Sequence, residues 1–462
     1  MRTGFNSTAG EIAEFCGGTL ISGAPDTPIA TITSDSRELG RDNLFIPIRG
    51  EKFDGHDYIL PLLQERRISA FLTMDRSRLD PASDSGAAAI MCDDTLAALG
   101  SIARAHRKRI NPRVIGITGT NGKTTTKELV YAVLRSRFSV LKNEKNYNNE
   151  IGVPFTLLGL EGHHDTAVIE MGMNHTGEIY RLSGISLPDI ALITSVGEGH
   201  LEYLSSVENV ALAKGEIMDG MKAGSTVILN SDTECIDLLM NMAADRGLVV
   251  RTFGMDKSAD IMPESYRLGE NYLQVIYRGE PVTVPLYGIH NVYNVLAAIA
   301  VAAELGIGPA ETGKALSDFS MVGGRSSVLR KGFIVIDDTY NSNPLSSRYA
   351  IESVREVFPR RRKIAVLSDM KELGGSSARL HSEIGSLVAR SGFDRLLVWG
   401  EMSGEYRRGA IKSSMKEENV QCFADKQELT GCLKNMIDEN DVVLVKGSRS
   451  MKMEEVVRAL TG

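Results

Sequence analysis

A glycine-rich segment, GITGTNGKTTTKE, occupies Gly116 to Glu128 between a run of apolar residues and an amphipathic stretch. The preceding run VIGIT predicts a buried strand, and the stretch that begins at Lys123 predicts a helix, so the glycines lie in the turn between them. Such a turn directs backbone N–H groups and a helix N-terminus at a polyphosphate. The segment therefore predicts an α/β domain with a phosphate-binding loop.

The general GxxxxGK[ST] pattern has a glycine five positions before the glycine that precedes the lysine. This chain departs from it, because Ile117 stands five positions before Gly122. The Gly-Lys-Thr core is nevertheless present, so Lys123 would reach the terminal phosphates and the Thr124 hydroxyl would bind Mg²⁺. The alternative, a glycine-rich turn with a surface lysine, is disfavoured because strand, loop and helix coincide.

The length of 462 residues predicts about three domains, and the chain divides into three α/β units. Residues 1–108 predict a small N-terminal α/β domain, residues 109–323 a central domain with a mostly parallel sheet, and residues 324–462 a Rossmann-like C-terminal domain. Within the central unit, LQVIYRGEPVTVPLYG predicts an antiparallel hairpin, and the apolar run from Val292 predicts a buried helix.

Composition narrows the class of protein. With 52 basic and 59 acidic side chains the formal charge is −7, so the chain has no global attraction for nucleic acid or anionic lipid. Five cysteines without a CxxC pair indicate a reducing compartment. No uncharged apolar stretch reaches the length of about 20 residues that a membrane span needs. We expect a cytoplasmic protein without membrane insertion, and a monomer.

Two polar side chains follow neighbouring predicted strands. Glu170 ends the strand AVIEMG and His200 follows IALITSVG, so both lie at the sheet edge where the phosphate loop opens. Carboxylate and imidazole can both bind a divalent cation beside Thr124. The alternatives, a solvated glutamate and a histidine that caps a turn, stay equally open.

Three further positions are ambiguous from the residues alone. Lys214 is most simply a surface lysine of a helix, although burial would give it a neutral, reactive amine. Asn291 and Asn294 lie three residues apart on one helix face, where they could bond locally or bind a base. Arg325 and the segment DDTYNSNP, residues 337–344, could either line a cleft or form interdomain contacts.

Several longer strings carry a family resemblance in all three units. They are FIPIRGEKFDGHDYI from Phe45, NYNNEIGVPFTLL from Asn146, EMGMNHTGEI from Glu170, DDTYNSNP from Asp337, LSDMKELG from Leu367 and KGSRSMKME from Lys446. Together with the loop they resemble the Mur ligases, ATP-dependent enzymes of bacterial cell-wall synthesis that form amide bonds. The strings are most similar to the branch that adds D-alanyl-D-alanine to UDP-N-acetylmuramoyl-tripeptide.

The resemblance implies a role for each candidate residue at the nucleotide. The ATP site would comprise Gly119, Thr120, Asn121, Gly122, Lys123, Thr124, Thr125, Asn291, Asn294, Arg325, Asp338, Tyr340 and Asn341. Two Mg²⁺ ions would be held by Thr124, Glu170 and His200. Lys214 would be carbamylated, which turns a cation into an anion that supports Mg²⁺. The residues expected to act in catalysis are Lys123, His200, Lys214 and Arg325.

The resemblance also implies where the other substrates bind. UDP-N-acetylmuramoyl-tripeptide would contact Ser34, Asp35, Ser36, Arg37, Asp54, Gly55, His56, Asn146, Asn148 and Asn149. The C-terminal domain would close on ATP and bind the D-alanyl-D-alanine dipeptide. The tripeptide carboxylate would first take the γ-phosphoryl group of ATP, and the dipeptide amine would then displace phosphate from the acyl phosphate.

Two other functions are also compatible with the phosphate loop. Another amide ligase, such as folylpolyglutamate synthase, shares the loop, but that family has a DGAHNP-like string where this chain has DDTYNSNP. A nucleotide-binding regulator would bind ATP without substrate-dependent turnover. The identity of the third peptide residue, diaminopimelate or lysine, has no signature in the sequence.

Overall fold

The fold is that of a computed structural model. It describes residues 5–38, 42–50, 52–65, 67–76, 86–144, 146–320 and 327–462. The predicted residue Arg325 and the predicted boundary at residue 323 lie outside these ranges.

The N-terminal unit is an α/β layer built on a five-stranded sheet. Its strands are β1 (Ser7–Thr8), β2 (Thr19–Ser22), β3 (Pro28–Ile29), β4 (Thr31–Thr33), β5 (Asn43–Phe45), β6 (Ala70–Thr73) and β7 (Ala88–Met91). Its helices are α1 (Ala9–Cys16), α2 (Ile59–Gln64) and α3 (Thr95–Ile110). The sheet order is β2-β7-β6-β5-β4, and β1 pairs with β3 separately.

Helix α3 leads from the first unit into the second. The predicted boundary after residue 108 falls near its C-terminal end. There the buried guanidinium of Arg107 donates from Nε to the carbonyl of Ser186 and from Nη2 to Asp189 Oδ2. Burial of the arginine is compatible with its charge because acceptors surround it. The end of α3 is thereby fixed to the central unit.

The central unit contains the predicted parallel sheet. Its strands are β8 (Arg113–Thr118), β9 (Val140–Lys142), β10 (Thr166–Glu170), β11 (Ile190–Ile193), β12 (Thr226–Asn230), β13 (Val249–Phe253), β14 (Ser265–Leu268), β15 (Leu273–Tyr277) and β16 (Glu280–Val284). Its helices are α4 (Lys123–Leu134), α5 (Gly152–Leu158), α6 (Glu178–Ser186), α7 (Leu201–Leu204), α8 (Val207–Gly215), α9 (Ile236–Asp245), α10 (His290–Glu304) and α11 (Pro309–Leu316). The parallel sheet has the order β13-β12-β11-β8-β10-β9, which confirms the predicted fold class.

Two local predictions for the central unit are also confirmed. Strands β15 and β16 form the predicted antiparallel hairpin, with Arg278 and Gly279 in its turn at φ 52° and 76°. Positive φ at both turn residues matches the right-handed twist of the strands. The apolar run from Val292 forms α10, which is buried along most of its length.

The C-terminal unit is a second sheet of six strands. They are β17 (Ser327–Lys331), β18 (Phe333–Asp338), β19 (Arg362–Ser368), β20 (Arg395–Trp399), β21 (Val420–Phe423) and β22 (Asp441–Lys446). Its helices are α12 (Pro344–Val357), α13 (Ser377–Arg390), α14 (Ser403–Lys412), α15 (Lys426–Met436) and α16 (Glu454–Thr461). The order is β17-β18-β22-β19-β20-β21, parallel except for β17.

This topology decides where polar side chains can meet. Strand β8 lies between β10 and β11, so the segments that follow these three strands share one edge of the central sheet. In the C-terminal sheet, β18 and β22 are neighbours, and the polar segments that follow them are adjacent. Within the described part of the chain, no helix combines the length and the apolar character that a membrane span requires.

Candidate active site

The phosphate loop contains two glycines, and any other residue at either position would displace a neighbouring side chain. Gly119 and Gly122 have φ of 150° and 84°. A Cβ on Gly119 would lie 1.9 Å from Thr194 Oγ1, and a Cβ on Gly122 would lie 2.3 Å from Asn294 Oδ1. Both distances are far below van der Waals contact, so the close approach of β11 and α10 to the loop requires glycine.

The lysine of the loop lies over its own backbone. Lys123 is the first residue of α4, and its Nζ donates to the carbonyl of Gly119 at 2.7 Å and contacts that of Thr120 at 3.4 Å. The ammonium therefore lies above the turn, at the N-terminus of a helix. Both features attract the phosphates of a nucleotide.

Glu170 lies next to the loop at the end of β10 and is only 2% exposed. Its Oε1 accepts hydrogen bonds from Thr124 Oγ1 at 3.2 Å and from Asn148 Nδ2 at 2.8 Å. Its Oε2 is buried and has no hydrogen-bond partner. A carboxylate oxygen without a hydrogen bond, beside a threonine hydroxyl, is the oxygen donor set that Mg²⁺ prefers, so the residues present fit this ion.

Two residues that support Glu170 were not predicted. The side-chain amide of Asn143 accepts from the backbone N–H of Glu170 and donates to its carbonyl, at 2.9 Å each. Lys127 is fully buried, and its Nζ donates to the carbonyl of Asn143 at 2.6 Å. Lys127 follows Lys123 by four residues, which places both on one face of α4. That spacing was the available signal in the sequence.

His200 occupies a strained turn and contacts the C-terminal unit. Its φ is 58°, a left-handed conformation at the start of α7. Its Nδ1 lies 2.7 Å from Oε2 of Glu372, and this contact lowers the pKa of Glu372. Among the described residues, no three histidine, cysteine, aspartate or glutamate side chains form a metal-binding group. A cation at Glu170 would therefore also need hydroxyl, water or phosphate ligands.

Lys214 is buried on α8 with only 2% of its surface exposed. The interpretation of Lys214 as a surface lysine is thus wrong. Burial first, and then the positive charge of Lys123, lower the pKa of Lys214 well below its usual range. Both effects favour a neutral amine.

A cleft of about 790 Å³, including its open mouth, lies between the phosphate loop and the C-terminal unit. Predicted nucleotide residues in its wall are Asn121, Gly122, Thr125, Asn294, Asp338, Tyr340 and Asn341. The structure thus brings the loop and the DDTYNSNP segment to one cavity.

The two asparagines of α10 have different surroundings. Asn291 Nδ2 donates to the carbonyl of Tyr287 at 2.7 Å, and its Oδ1 accepts from Asn294 Nδ2 at 2.8 Å. Asn294 Oδ1 accepts from Thr126 Oγ1 at 3.2 Å and faces the cleft. Asn291 therefore holds Asn294 in place, and Asn294 is the one that lines the cleft.

A buried lysine fixes the loop after β18. Lys446, at the end of β22, is 2% exposed, and its Nζ lies 2.5 Å from Asp338 Oδ2 and 2.9 Å from the carbonyl of Asn341. This ion pair orients the polar side of the cleft. Lys446 was part of a family string but was not predicted as a site residue.

Aromatic residues form another side of the cleft. The ring centroid of Tyr349 lies 6.1 Å from that of Tyr293 and 6.4 Å from that of His290. Burial raises the pKa of Tyr349 to about 12 and lowers the pKa of His290 to about 4, so both rings are neutral near pH 7. Uncharged rings suit a planar base. Their spacing on α10 and α12 gave no sequence signal, because the two helices belong to different units.

The N-terminal candidates form two small hydrogen-bonded groups. Asp35 accepts three hydrogen bonds from Arg37, one from the backbone N–H and two from the guanidinium. These bonds, the side-chain ones first, lower the pKa of Asp35 to about 2. Ser34 and Ser36 are partly exposed beside them.

In the second group, the side chain of His56 is buried and hydrogen-bonded to its neighbours. Asp54 Oδ1 accepts from the backbone N–H of His56 and lies 2.6 Å from His56 Nδ1, while the other ring nitrogen accepts from the N–H of Met74 at 3.4 Å. The backbone bond first, and then the ring and Arg49, hold the pKa of Asp54 below its usual range. A Cβ on Gly55 would lie 2.7 Å from the backbone N of Ile48. Both ring nitrogens of His56 thus serve local structure.

The three predicted asparagines before α5 have different contacts. Asn148 Nδ2 donates to Glu170 Oε1 at 2.8 Å. Asn149 Oδ1 accepts at 2.9 Å from the N–H of Gly152, the first residue of α5, so its side chain serves local structure. Asn146 is exposed. Only Asn148 joins the predicted cation site.

The fold and the site define a nucleotide-binding protein of three α/β units with a phosphate loop at the edge of its central sheet. Three family models match in order: "Mur ligase family, catalytic domain" over residues 28–117, "Mur ligase middle domain" over 117–302 and "Mur ligase, glutamate ligase domain" over 324–449. The UDP-N-acetylmuramoyl-tripeptide--D-alanyl-D-alanine ligase of Bacillus subtilis is 36% identical over 98% of both chains. The chain belongs to the Mur ligase family, in the branch of this relative.

Solved structures agree with this assignment. A crystal structure of MurF from Acinetobacter baumannii has a TM-score of 0.90 at 28% identity and covers all of both chains. MurF from Thermotoga maritima, in complex with ADP, has a TM-score of 0.80 at 27% identity and covers 93% of this chain and 97% of that one.

Proposed function

We propose that this chain is an ATP-dependent ligase that joins D-alanyl-D-alanine to UDP-N-acetylmuramoyl-tripeptide through an acyl phosphate. The observation that carries the proposal is the shared cleft, in which the phosphate loop of the central unit faces the Asp338–Asn341 segment of the C-terminal unit. Similarity along the whole chain to a named ligase of this kind supports the choice of substrates.

The phosphate loop would bind and orient the triphosphate. Backbone N–H groups at the start of α4 and the ammonium of Lys123 would neutralise the β- and γ-phosphates. The neutral rings of Tyr293 and Tyr349 would hold the base at the other end. With ATP held at both ends, the γ-phosphorus is exposed to in-line attack by the tripeptide carboxylate.

Mg²⁺ would be held at Thr124 and Glu170, and His200 would contribute through Nε2, since its Nδ1 faces Glu372. The ion, when bound, supplies positive charge that stabilises the oxygens of the transferred phosphoryl group. The ammonium of Lys123, which lies over the phosphate loop, would act on the same oxygens. We propose that the site binds a second Mg²⁺ ion as well.

Lys214 would enter the site as a carbamate. A neutral lysine amine attacks CO₂, forms the N–C bond and releases one proton, which leaves a negative carboxylate on the side chain. The burial of Lys214 and its repulsion by Lys123 favour the neutral amine that this reaction needs. The resulting anion would compensate the positive charge of Lys123 and of the metal.

The acyl phosphate must be shielded from water until the dipeptide amine attacks it. A site built between two units can exclude water when the units close. The contact of His200 with Glu372 joins the two units, and the ion pair of Lys446 with Asp338 orients the C-terminal side of the site. We infer that it also binds the dipeptide, and that a monomer acts by this closure.

The cellular setting follows from the reaction. The nucleotide substrates are made where ATP is available, so we propose a cytoplasmic enzyme that works in peptidoglycan synthesis and thereby in cell shape and division. The five cysteines form no disulfide, which suits a reducing compartment.

The test is phosphate release from ATP and Mg²⁺ in the presence of UDP-N-acetylmuramoyl-tripeptide, with and without D-alanyl-D-alanine. We expect strong release only with both substrates, and a pentapeptide product by mass spectrometry. Diaminopimelate- and lysine-containing tripeptides are tested in parallel to assign the third residue. Glutamate as acceptor is the control for another amide ligase.

No stimulation by the dipeptide with either tripeptide would overturn the proposed reaction. Stimulation by glutamate instead would favour a ligase with another acceptor. ATP binding without any turnover would favour a regulatory nucleotide-binding protein.

A further inference from the structure

A row of side chains with alternating charge leads from the surface to Glu170. Lys142 Nζ lies 3.8 Å from Glu144 Oε1 and 2.6 Å from Glu128 Oε2. On the inner side, Glu128 Oε1 lies 3.1 Å from Lys127 Nζ, which lies 3.9 Å from Glu170 Oε2. The exposed fraction of the side chains falls from 64% at Glu144 to 0% at Lys127.

The innermost step of this row is longer than the one before it. The ammonium of Lys127 makes a hydrogen bond with the carbonyl of Asn143 at 2.6 Å and an ion pair with Glu128 at 3.1 Å. It stays 3.9 Å from Glu170 Oε2, beyond hydrogen-bond distance. That oxygen is buried and accepts no hydrogen bond.

A buried carboxylate oxygen without a hydrogen bond is costly in the interior, and an ammonium close by would normally donate one to it. Lys127 Nζ instead has two closer acceptors, the carbonyl of Asn143 and the Glu128 carboxylate. The carbonyl of Asn143 belongs to the backbone, so the Glu128 carboxylate is the closer of the two side-chain carboxylates around the ammonium.

We propose that Glu128 is a positioning residue that keeps Lys127 off Glu170 Oε2 and so leaves this oxygen available to a divalent cation. The inference rests on the cation site of the proposed function. Lys127 at 3.9 Å still offsets part of the charge of Glu170 in the empty site. At hydrogen-bond distance it would occupy the lone pair that a cation needs.

The test measures Mn²⁺ binding to the full-length, nucleotide-free protein by electron paramagnetic resonance of the free ion. We expect Glu170→Gln to lose binding. Glu128→Gln, which keeps the size of the side chain, should weaken binding about 10- to 100-fold, as is typical when a group that orients a metal ligand is removed. Glu144→Gln, at the exposed end of the same row, is the matched control and should bind Mn²⁺ like the unmodified protein.

A double-variant cycle separates restraint of Lys127 from simple loss of charge. If Glu128 acts by holding Lys127, then Glu128→Gln has no further effect in a Lys127→Met background. A through-space charge effect would persist there and would overturn the inference. Circular dichroism checks that each variant folds.

A metal-free crystal structure of Glu128→Gln provides a second measurement, which stands even where Lys127→Met does not fold. Movement of Lys127 Nζ to about 2.7–3.2 Å from Glu170 Oε2 supports the inference. An unchanged separation overturns it. Mn²⁺ binding that survives Glu170→Gln would instead contradict the proposed cation site itself, so the two failures are distinguishable.

Discussion

Asn121 and Asn343 exchange a reciprocal pair of side-chain hydrogen bonds across the interface between the central and C-terminal units. Asn121 Nδ2 donates to Asn343 Oδ1 at 3.1 Å, and Asn343 Nδ2 donates to Asn121 Oδ1 at 2.9 Å. Asn121 belongs to the phosphate loop, while Asn343 caps α12 by accepting from the N–H of Ser346. The phosphate loop is thus bonded directly to the first helix of the C-terminal unit.

The substitution Asn343→Ser isolates this pair from the helix cap. A serine side chain can still cap α12, but it is too short to form the two hydrogen bonds with Asn121. Loss of both bonds, at about 0.5–1.5 kcal/mol each, should weaken the closed arrangement by about 1–3 kcal/mol, which raises the KM for ATP about 5- to 160-fold. Steady-state kinetics with varied ATP checks this.

Asn343→Ala is the comparison for this experiment. It removes the cap as well and should cost about 1 kcal/mol more in the free energy of unfolding, measured in urea. An unchanged KM in Asn343→Ser would contradict a role of the pair in nucleotide binding.

Gly122→Ala should abolish ATP-dependent turnover. The new methyl group would lie 2.3 Å from Asn294 Oδ1, at a φ of 84° that alanine disfavours. The loop must shift, and its N–H groups then no longer converge on the phosphates. Binding of ADP by calorimetry and phosphate release are the measurements.

The matched control is Gly162→Ala, where a Cβ meets nothing within 4 Å. We expect full activity there. Normal ADP affinity in Gly122→Ala would show that the loop tolerates the change and that the close contact with α10 is not required.

Much of the fold could be predicted because its strands are strongly patterned. The runs at β8, β18, β19 and β22 are continuously apolar, which is typical of buried parallel strands. Strands β14, β17 and β21 were missed because they lie at sheet edges, where short and partly polar segments such as SYRL and VQCF leave no period to detect. The boundaries after residues 108 and 323 stay predictions.

The candidate site was predictable where one loop carries the chemistry, as at Lys123 and Thr124. It was not predictable where chemistry depends on burial or on contacts between units. Lys214 has the sequence surroundings of a surface lysine, yet only 2% of it is exposed in the fold. Tyr349 meets Tyr293 only because two units face each other, and no local pattern records that.

His290 should make the free energy of unfolding depend on pH in a defined window. Burial lowers its pKa from an ordinary value of 6.5 to about 4. Between these values the unfolded chain binds a proton that the folded chain does not, so stability is fully present above about pH 6.5 and is lost as the pH falls towards 4. The contribution is at most about 3 kcal/mol.

Urea unfolding at pH 7 and pH 5 measures this effect. His290→Gln should lose less stability on acidification than the unmodified protein. His163→Gln, at an exposed histidine, should retain the full loss. Equal losses in all three proteins would show that His290 titrates normally in the folded chain.

Lys214→Ala should reduce turnover about 100-fold or more, because it removes one preorganised charge from the site. Added bicarbonate should not restore activity, since no amine remains to form a carbamate. The unmodified protein, depleted of CO₂, should lose activity and regain it with bicarbonate.

The control is Lys222→Ala, which replaces an exposed lysine eight residues further along the chain and should keep full turnover. A carbon-13 carbamate signal from labelled bicarbonate should be present in the unmodified protein and absent in Lys214→Ala. Unchanged turnover in that variant would contradict a carbamate at this position, and the lowered pKa of Lys214 would then reflect only its burial and the nearby charge of Lys123.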